Sequence, residues 1–214
     1  MRELPILFST EMVRAILDGR KTMTRRVIKN HDIISRFDID IDGSIVAYID
    51  QETGDCFSPE KLCPYQPGDK LWVRETWCDE WKDPDGFTGN YLYRADGIEV
   101  YHVDGAGKSP WRPSIHMPKE AARIWLEVTN VRAERLQEIS EDDARAEGCI
   151  TYHDKIGDGK FDDVIEFDLT ARDAFTELWN NTIKKKDIDT YGWDANPWVW
   201  VISFKRIVPE GVNA

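Results

Sequence analysis

At 214 residues and 41% hydrophobic composition, the chain is long enough to bury a sizeable core and is expected to form one elaborated domain spanning 1-214. Its formal net charge of -12 disfavours a non-specific grip on nucleic acid, which depends on Lys and Arg neutralising phosphates, so any basic surface has to be local. No apolar run is long enough to span a bilayer, and the opening Met1-Arg2-Glu3-Leu4-Pro5 lacks the apolar stretch of a secretory signal, which makes a cytoplasmic location the expectation.

Leu4 to Phe8 reads as a strand entering a first helix, in which Thr10 can cap, Glu11 sits in the first turn, and Met12, Val13, Ile16 and Leu17 form an apolar stripe. Gly19 is suited to the left-handed residue that ends such a helix. The segment that follows runs against the average charge: residues 18 to 29 hold Arg20, Lys21, Arg25, Arg26 and Lys29 against the single acid Asp18. Cations just past a helix end complement its carbonyls, which accounts for Arg20 and Lys21. It leaves unexplained the strand-like run Lys21-Thr22-Met23-Thr24-Arg25, in which Lys21 and Thr24 are free to converge.

Further strands are expected at Ser44 to Ile49, Lys70 to Glu75, Tyr91 to Ala95, Arg123 to Val131 and Trp198 to Lys205, in a mixed or antiparallel sheet, because helices do not regularly separate them. Three stretches read as insertions: Asn30 to Gln66, Glu80 to Pro113, and an acidic, Gly-containing surface loop from Tyr152 to Asp168. Lys184-Lys185-Lys186 follows a helix expected over Ala171 to Asn180 and reads first as a solvated helix end.

A second helix is expected at Ile139 to Gly148, capped by Ser140, with Asp143 placed to reach back in a capping box. Glu147 breaks the charge order there: next to Gly148 its carboxylate faces the negative end of the dipole, at a cost of a few tenths of a kcal/mol up to about 1. Such a placement is reasonable where a cation lies close, and Lys21 is the candidate. Of nine tryptophans, most belong to the core; Trp111 and Trp193 lie among Pro and Gly, where a flat ring can be offered to a nucleobase, with core packing the favoured alternative for each. Cys56, Cys63, Cys78 and Cys149, and the scattered histidines, have no disulfide or ligand spacing, so neither a metal nor another cofactor is expected.

Gly19-Arg20-Lys21-Thr22-Met23-Thr24-Arg25-Arg26 after a short helix, Pro67-Gly68-Asp69-Lys70-Leu71-Trp72-Val73 entering a strand, and the closing Trp200-Val201-Ile202-Ser203-Phe204-Lys205 together resemble an ASCH domain. The longer form here, with Trp111-Arg112-Pro113-Ser114-Ile115-His116-Met117-Pro118, resembles the phage and prophage branch of that family. The resemblance implies an α+β, PUA-like fold: a mixed β-barrel flanked by short helices, with a cleft for a nucleoside, a modified nucleobase or single-stranded RNA. It also implies amidohydrolysis of N4-acetylcytidine through a Lys, a Thr and a Glu, roles that fall by motif on Lys21, Thr24 and Glu147. Arg20, Arg25, Arg26, Trp111 and Trp193 are the expected substrate contacts. A non-catalytic RNA or modified-base binding module is the competing class, with a ribonuclease third.

A threonine hydroxyl becomes a nucleophile only when a base takes its proton, and lysine is a base only when neutral. Lowering a lysine from about 10.4 to about 7.4 requires about 4 kcal/mol of differential solvation from burial or nearby cations. Glu147 would oppose that shift, so a protonated Lys21 stabilising an oxyanion, with Glu147 as the base, stands as the alternative. No residue pattern speaks to oligomeric state.

Overall fold

The computed structural model describes residues 1–29, 34–39, 45–50, 53–57, 63–82, 86–100, 110–150, 152–156 and 165–208. In chain order the elements are β1 (Glu3–Leu7), α1 (Thr10–Leu17), β2 (Met23–Val27), β3 (Ile34–Ile39), β4 (Ile45–Asp50), β5 (Cys56–Phe57), β6 (Lys70–Arg74), β7 (Trp77–Lys82), β8 (Gly86–Tyr93), β9 (Trp125–Arg135), α2 (Glu141–Ala146), β10 (Tyr152–Ile156), β11 (Ile165–Leu169), α3 (Ala171–Thr182), α4 (Ile188–Tyr191) and β12 (Trp198–Ile207). This is an α+β fold built on a five-stranded sheet in the order β1-β6-β9-β12-β2. The chain divides into two compact units, one of Met1–Gly19, Gly68–Val128 and Phe204–Ala214, the other of Arg20–Pro67 and Thr129–Ser203.

In the first unit, β1 runs parallel to β6 from Glu3 opposite Lys70 to Leu7 opposite Arg74, and β6 pairs antiparallel with the start of β9. Pro5, which has no N–H to give a ladder, sits in an end strand of the sheet, where that lack is tolerated. The α1 stripe buries Val13, Ala15 and Ile16, and the cap is Ser9, whose hydroxyl accepts from the Met12 N–H, one residue before the expected Thr10. A hairpin of β7 and β8 begins at Trp77, three residues before the stretch read as the second insertion, and runs into it. The strand expected at Tyr91 to Ala95 starts earlier, at Gly86, and stops at Tyr93, where a 3-10 turn over Arg94–Asp96 ends on Gly97 at φ 73°.

In the second unit, β12 pairs antiparallel with β2, Val199 opposite Val27 and Ser203 opposite Met23. Its Val199, Trp200, Val201 and Ile202 are all buried, the mark of an inner strand covered on both faces. Leu136, Ile139, Ala144, Ala171, Phe175, Trp179, Val199 and Val201 form the core under α2 and α3. The first insertion contains the antiparallel strands β3, β4 and β5. The acidic stretch from Tyr152 to Asp168, expected as a loop, supplies β10 and most of β11, paired antiparallel; its residues 157–164 lie outside the described set, as do other parts of all three insertions.

Where a mixed β-barrel was expected, the strands among the described residues form an open sheet that ends on β1 and β2. The backbone just before β2 turns to the end of α2, where the Thr22 N–H donates to the Ala146 carbonyl at 2.8 Å and Lys21 forms an isolated antiparallel bridge with Glu147. No helix among the described residues is long and apolar enough to cross a membrane.

Candidate functional site

Helix α2 is only six residues long, and its acidic first turn and Ser140 cap are as expected, with the Ser140 hydroxyl accepting from the Asp143 N–H. The Asp143 side chain does not close a capping box; it bonds Arg25 and Arg132 instead. At the other end the chain turns at Gly148, φ 94°, a left-handed conformation that suits glycine. Three cationic or N–H donors from residues 20 to 22 meet the three carbonyls there. Arg20 donates to Gly148 O at 2.9 Å, the Lys21 ammonium to Glu147 O at 2.8 Å, and the Thr22 N–H to Ala146 O. The cations expected to complement the end of α1 thus complement the end of α2.

The misplaced carboxylate of Glu147 finds its cation. Lys21 Nζ donates to Glu147 Oε2 at 2.6 Å, and the two residues are 2% and 3% exposed. The second oxygen, Oε1, accepts from Arg25 at 3.2 Å. Arg25 also donates through Nε to Glu134 at 3.0 Å and through a terminal nitrogen to Asp143 at 2.8 Å, with its face 5.7 Å from the centre of the Phe175 ring. Arg132 closes the network, donating to Glu134 at 3.1 Å and to Asp143 at 2.7 Å. Three cations, Lys21, Arg25 and Arg132, thereby face three carboxylates, so the cluster is neutral as a whole.

Alternation along β2 separates its side chains into two rows. Arg25 shares a row with Met23 and contacts its sulfur, while Arg26 shares a row with Thr24 and donates to the Thr24 hydroxyl oxygen at 2.6 Å. Thr24 is 1% exposed.

Burial, first, and then the Arg26 cation pull the Lys21 ammonium below the ordinary lysine range, while Glu147 resists. Burial likewise lowers the Arg26 guanidinium against the opposing charges of Glu147 and Tyr65, and raises the Tyr65 hydroxyl, which Arg26 resists. For Arg25 burial acts downward, but Glu147, Glu134 and Asp143 outweigh it and hold the guanidinium above its usual value. Burial, then Glu147, push the Cys149 thiol to about 11, so it is no thiolate at neutral pH.

The structure thus joins Lys21, Arg25 and Glu147 in one buried ion-pair network, with Arg20 on the neighbouring Gly148 carbonyl and Arg26 bonded to Thr24 in the other row of β2. Trp193 packs into the α2–α3 core, edge-on to Phe175 with centroids 6.3 Å apart and with Arg172 over its ring. Trp111 is half-buried in the other unit, next to Arg112, whose backbone bridges Trp77. Lys184, Lys185 and Lys186 are exposed beyond α3. Among the described residues no group of three or more His, Cys, Asp and Glu is arranged to hold a metal ion. Sequence reasoning missed Arg132, Glu134 and Tyr65. The signal for the first two was their two-residue spacing on one strand, which puts both on one face.

No protein-family model matches the chain, and no curated protein does. Among solved structures, an ASCH domain from Lactobacillus crispatus JV V101 is similar at a TM-score of 0.41 and 14% identity, covering 96% of this chain and 79% of that one. At that level of likeness, a functional reading has to rest on the site's own chemistry.

Proposed function

We propose that the second unit is a nucleoside-binding site that removes the acetyl group from N4-acetylcytidine. The observation that carries this reading is the buried contact of Lys21 with Glu147, 2.6 Å long, with Arg26, whose charge acts on both, donating to the Thr24 hydroxyl. A cation on the hydroxyl oxygen stabilises the alkoxide and so favours loss of its proton. Lys21, in the neutral form that burial favours and after its own proton has gone to solvent, takes that proton as Thr24 Oγ1 attacks the acetyl carbonyl. The Glu147 carboxylate, in contact with the same ammonium, relays it to the cytidine N4 as the C–N bond breaks. Water then cleaves the acetyl ester on Thr24, giving acetate and restoring the hydroxyl.

The opposite assignment, a protonated Lys21 on the oxyanion and Glu147 as base, uses the same pair and gives the same products. A second reading, a non-catalytic binding module for RNA or modified bases, draws support from burial: Lys21 and Thr24 are 2% and 1% exposed, as expected of side chains that shape a strand. Incubation with N4-acetylcytidine and a panel of modified nucleosides, followed by chromatography and equilibrium binding, separates the two. Turnover that disappears in Lys21→Ala and Thr24→Ala supports the hydrolase; binding without turnover supports the module, and full activity in both variants overturns the assigned roles.

A further inference from the structure

We propose that Arg25 is a positioning residue that holds the Glu147 carboxylate divided, Oε1 on its own guanidinium and Oε2 on the Lys21 ammonium. The proposal rests on the hydrolytic reading for its effect on turnover, but its geometric content stands apart from it. The Arg25 side chain is fully buried, at 0% exposure, and its nitrogens are engaged by carboxylates from two elements: Glu134 on β9, and Asp143 and Glu147 at the two ends of α2. A guanidinium so enclosed is a poor ligand contact and a good template. Its planar fork fixes the direction of each carboxylate it meets, which an ammonium cannot do.

The anchoring is doubled. Glu134 and Asp143, which hold Arg25, are held in turn by Arg132, so Arg25 cannot swing toward either acid without breaking a second pair. With Arg25 fixed, Glu147 has one oxygen tied and the other aimed at Lys21, while Lys21 feels a carboxylate whose charge is shared. The other charged or titratable groups facing Lys21 are Arg26 from β2 and Cys149 beyond α2. Loss of the Arg25 fork leaves Glu147 to Lys21 alone, and the ammonium then holds its proton more tightly.

Two variants test this. Arg25→Lys keeps the charge but cannot reach three carboxylates together; Glu134→Gln keeps Arg25 and removes one anchor, and serves should the first variant fold poorly. For folded variants the expected results are a kcat lower by up to about 100-fold with KM nearly unchanged, the loss typical of a misaligned catalytic group. In Arg25→Lys, where the fork on Glu147 is lost, the Lys21 titration, followed by NMR of its side chain, is expected to move to higher pH. A folded variant with unchanged kcat and an unchanged Lys21 midpoint overturns the proposal. So does a raised KM at constant kcat, which would put Arg25 on the ligand. If the wild type releases no acetate, the hydrolytic reading fails while the Lys21 midpoint still decides the role of Arg25.

Discussion

Glu147→Gln leaves the Lys21 ammonium buried without its counter-charge. Removing one partner of a buried ion pair ordinarily costs about 3 to 5 kcal/mol. The relief of taking a carboxylate away from the negative end of α2 returns only about 0.3 to 1 kcal/mol, so destabilisation wins. An unpaired buried ammonium can escape by releasing its proton. From an ordinary lysine value of about 10.4, at about 1.36 kcal/mol per pH unit, that escape costs about 4.6 kcal/mol at pH 7 and about 1.9 at pH 9. These figures bound the Lys21 share of the loss. The sign follows from proton counting: the folded value is lowered, so between it and the unfolded value the unfolded chain binds more protons, and stability rises with pH. The rise is steeper in the variant, because Glu147 no longer opposes the shift. Urea unfolding followed by tryptophan fluorescence should therefore show a stability gap between wild type and Glu147→Gln that narrows from pH 7 to pH 9 by up to about 2.7 kcal/mol. A variant as stable as wild type at pH 7, or a gap that does not narrow, would refute the buried pairing.

Gly148→Ala places a side chain at φ 94° next to Glu147, and should cost roughly 1 to 2 kcal/mol in the same unfolding assay while reducing turnover through displacement of the carboxylate. Unchanged stability would show that this backbone is not held left-handed. RNA affinity, if measured, should fall with salt along a slope of about -0.7 per phosphate, and a slope steeper than about -4 would require an extended basic surface in place of the local cluster near residues 20 to 26.

The strands that carry apolar runs, such as Lys70–Arg74 and Trp198–Ile207, were legible because burial on a sheet leaves a strong compositional mark. Helix α2 was legible through its cap, and Glu147 through the rule it breaks: the physics that makes a carboxylate unfavourable at a helix end is local, while the Lys21 that offsets it is 126 residues away in sequence. Closure of the sheet was not legible, because it depends on where the backbone of Lys21 and Thr22 finds partners, a non-local choice. The β10–β11 pair was obscured by its acids, although Ile165, Phe167 and Leu169 alternate with Glu166 and Asp168 as a strand requires. Arg25 was read as a ligand contact because sequence displays its charge and hides the three carboxylates that the fold gathers around it.

The hydrolytic reading of Lys21, Thr24 and Glu147 is tested most directly by incubating the purified wild-type protein and a folded Thr24→Ala variant with N4-acetylcytidine and quantifying the products by chromatography. Cytidine and acetate released in equal amounts by the wild type, and by the variant not at all, is the result predicted. Intact N4-acetylcytidine after prolonged incubation with wild-type protein, or equal turnover by the variant, would contradict it.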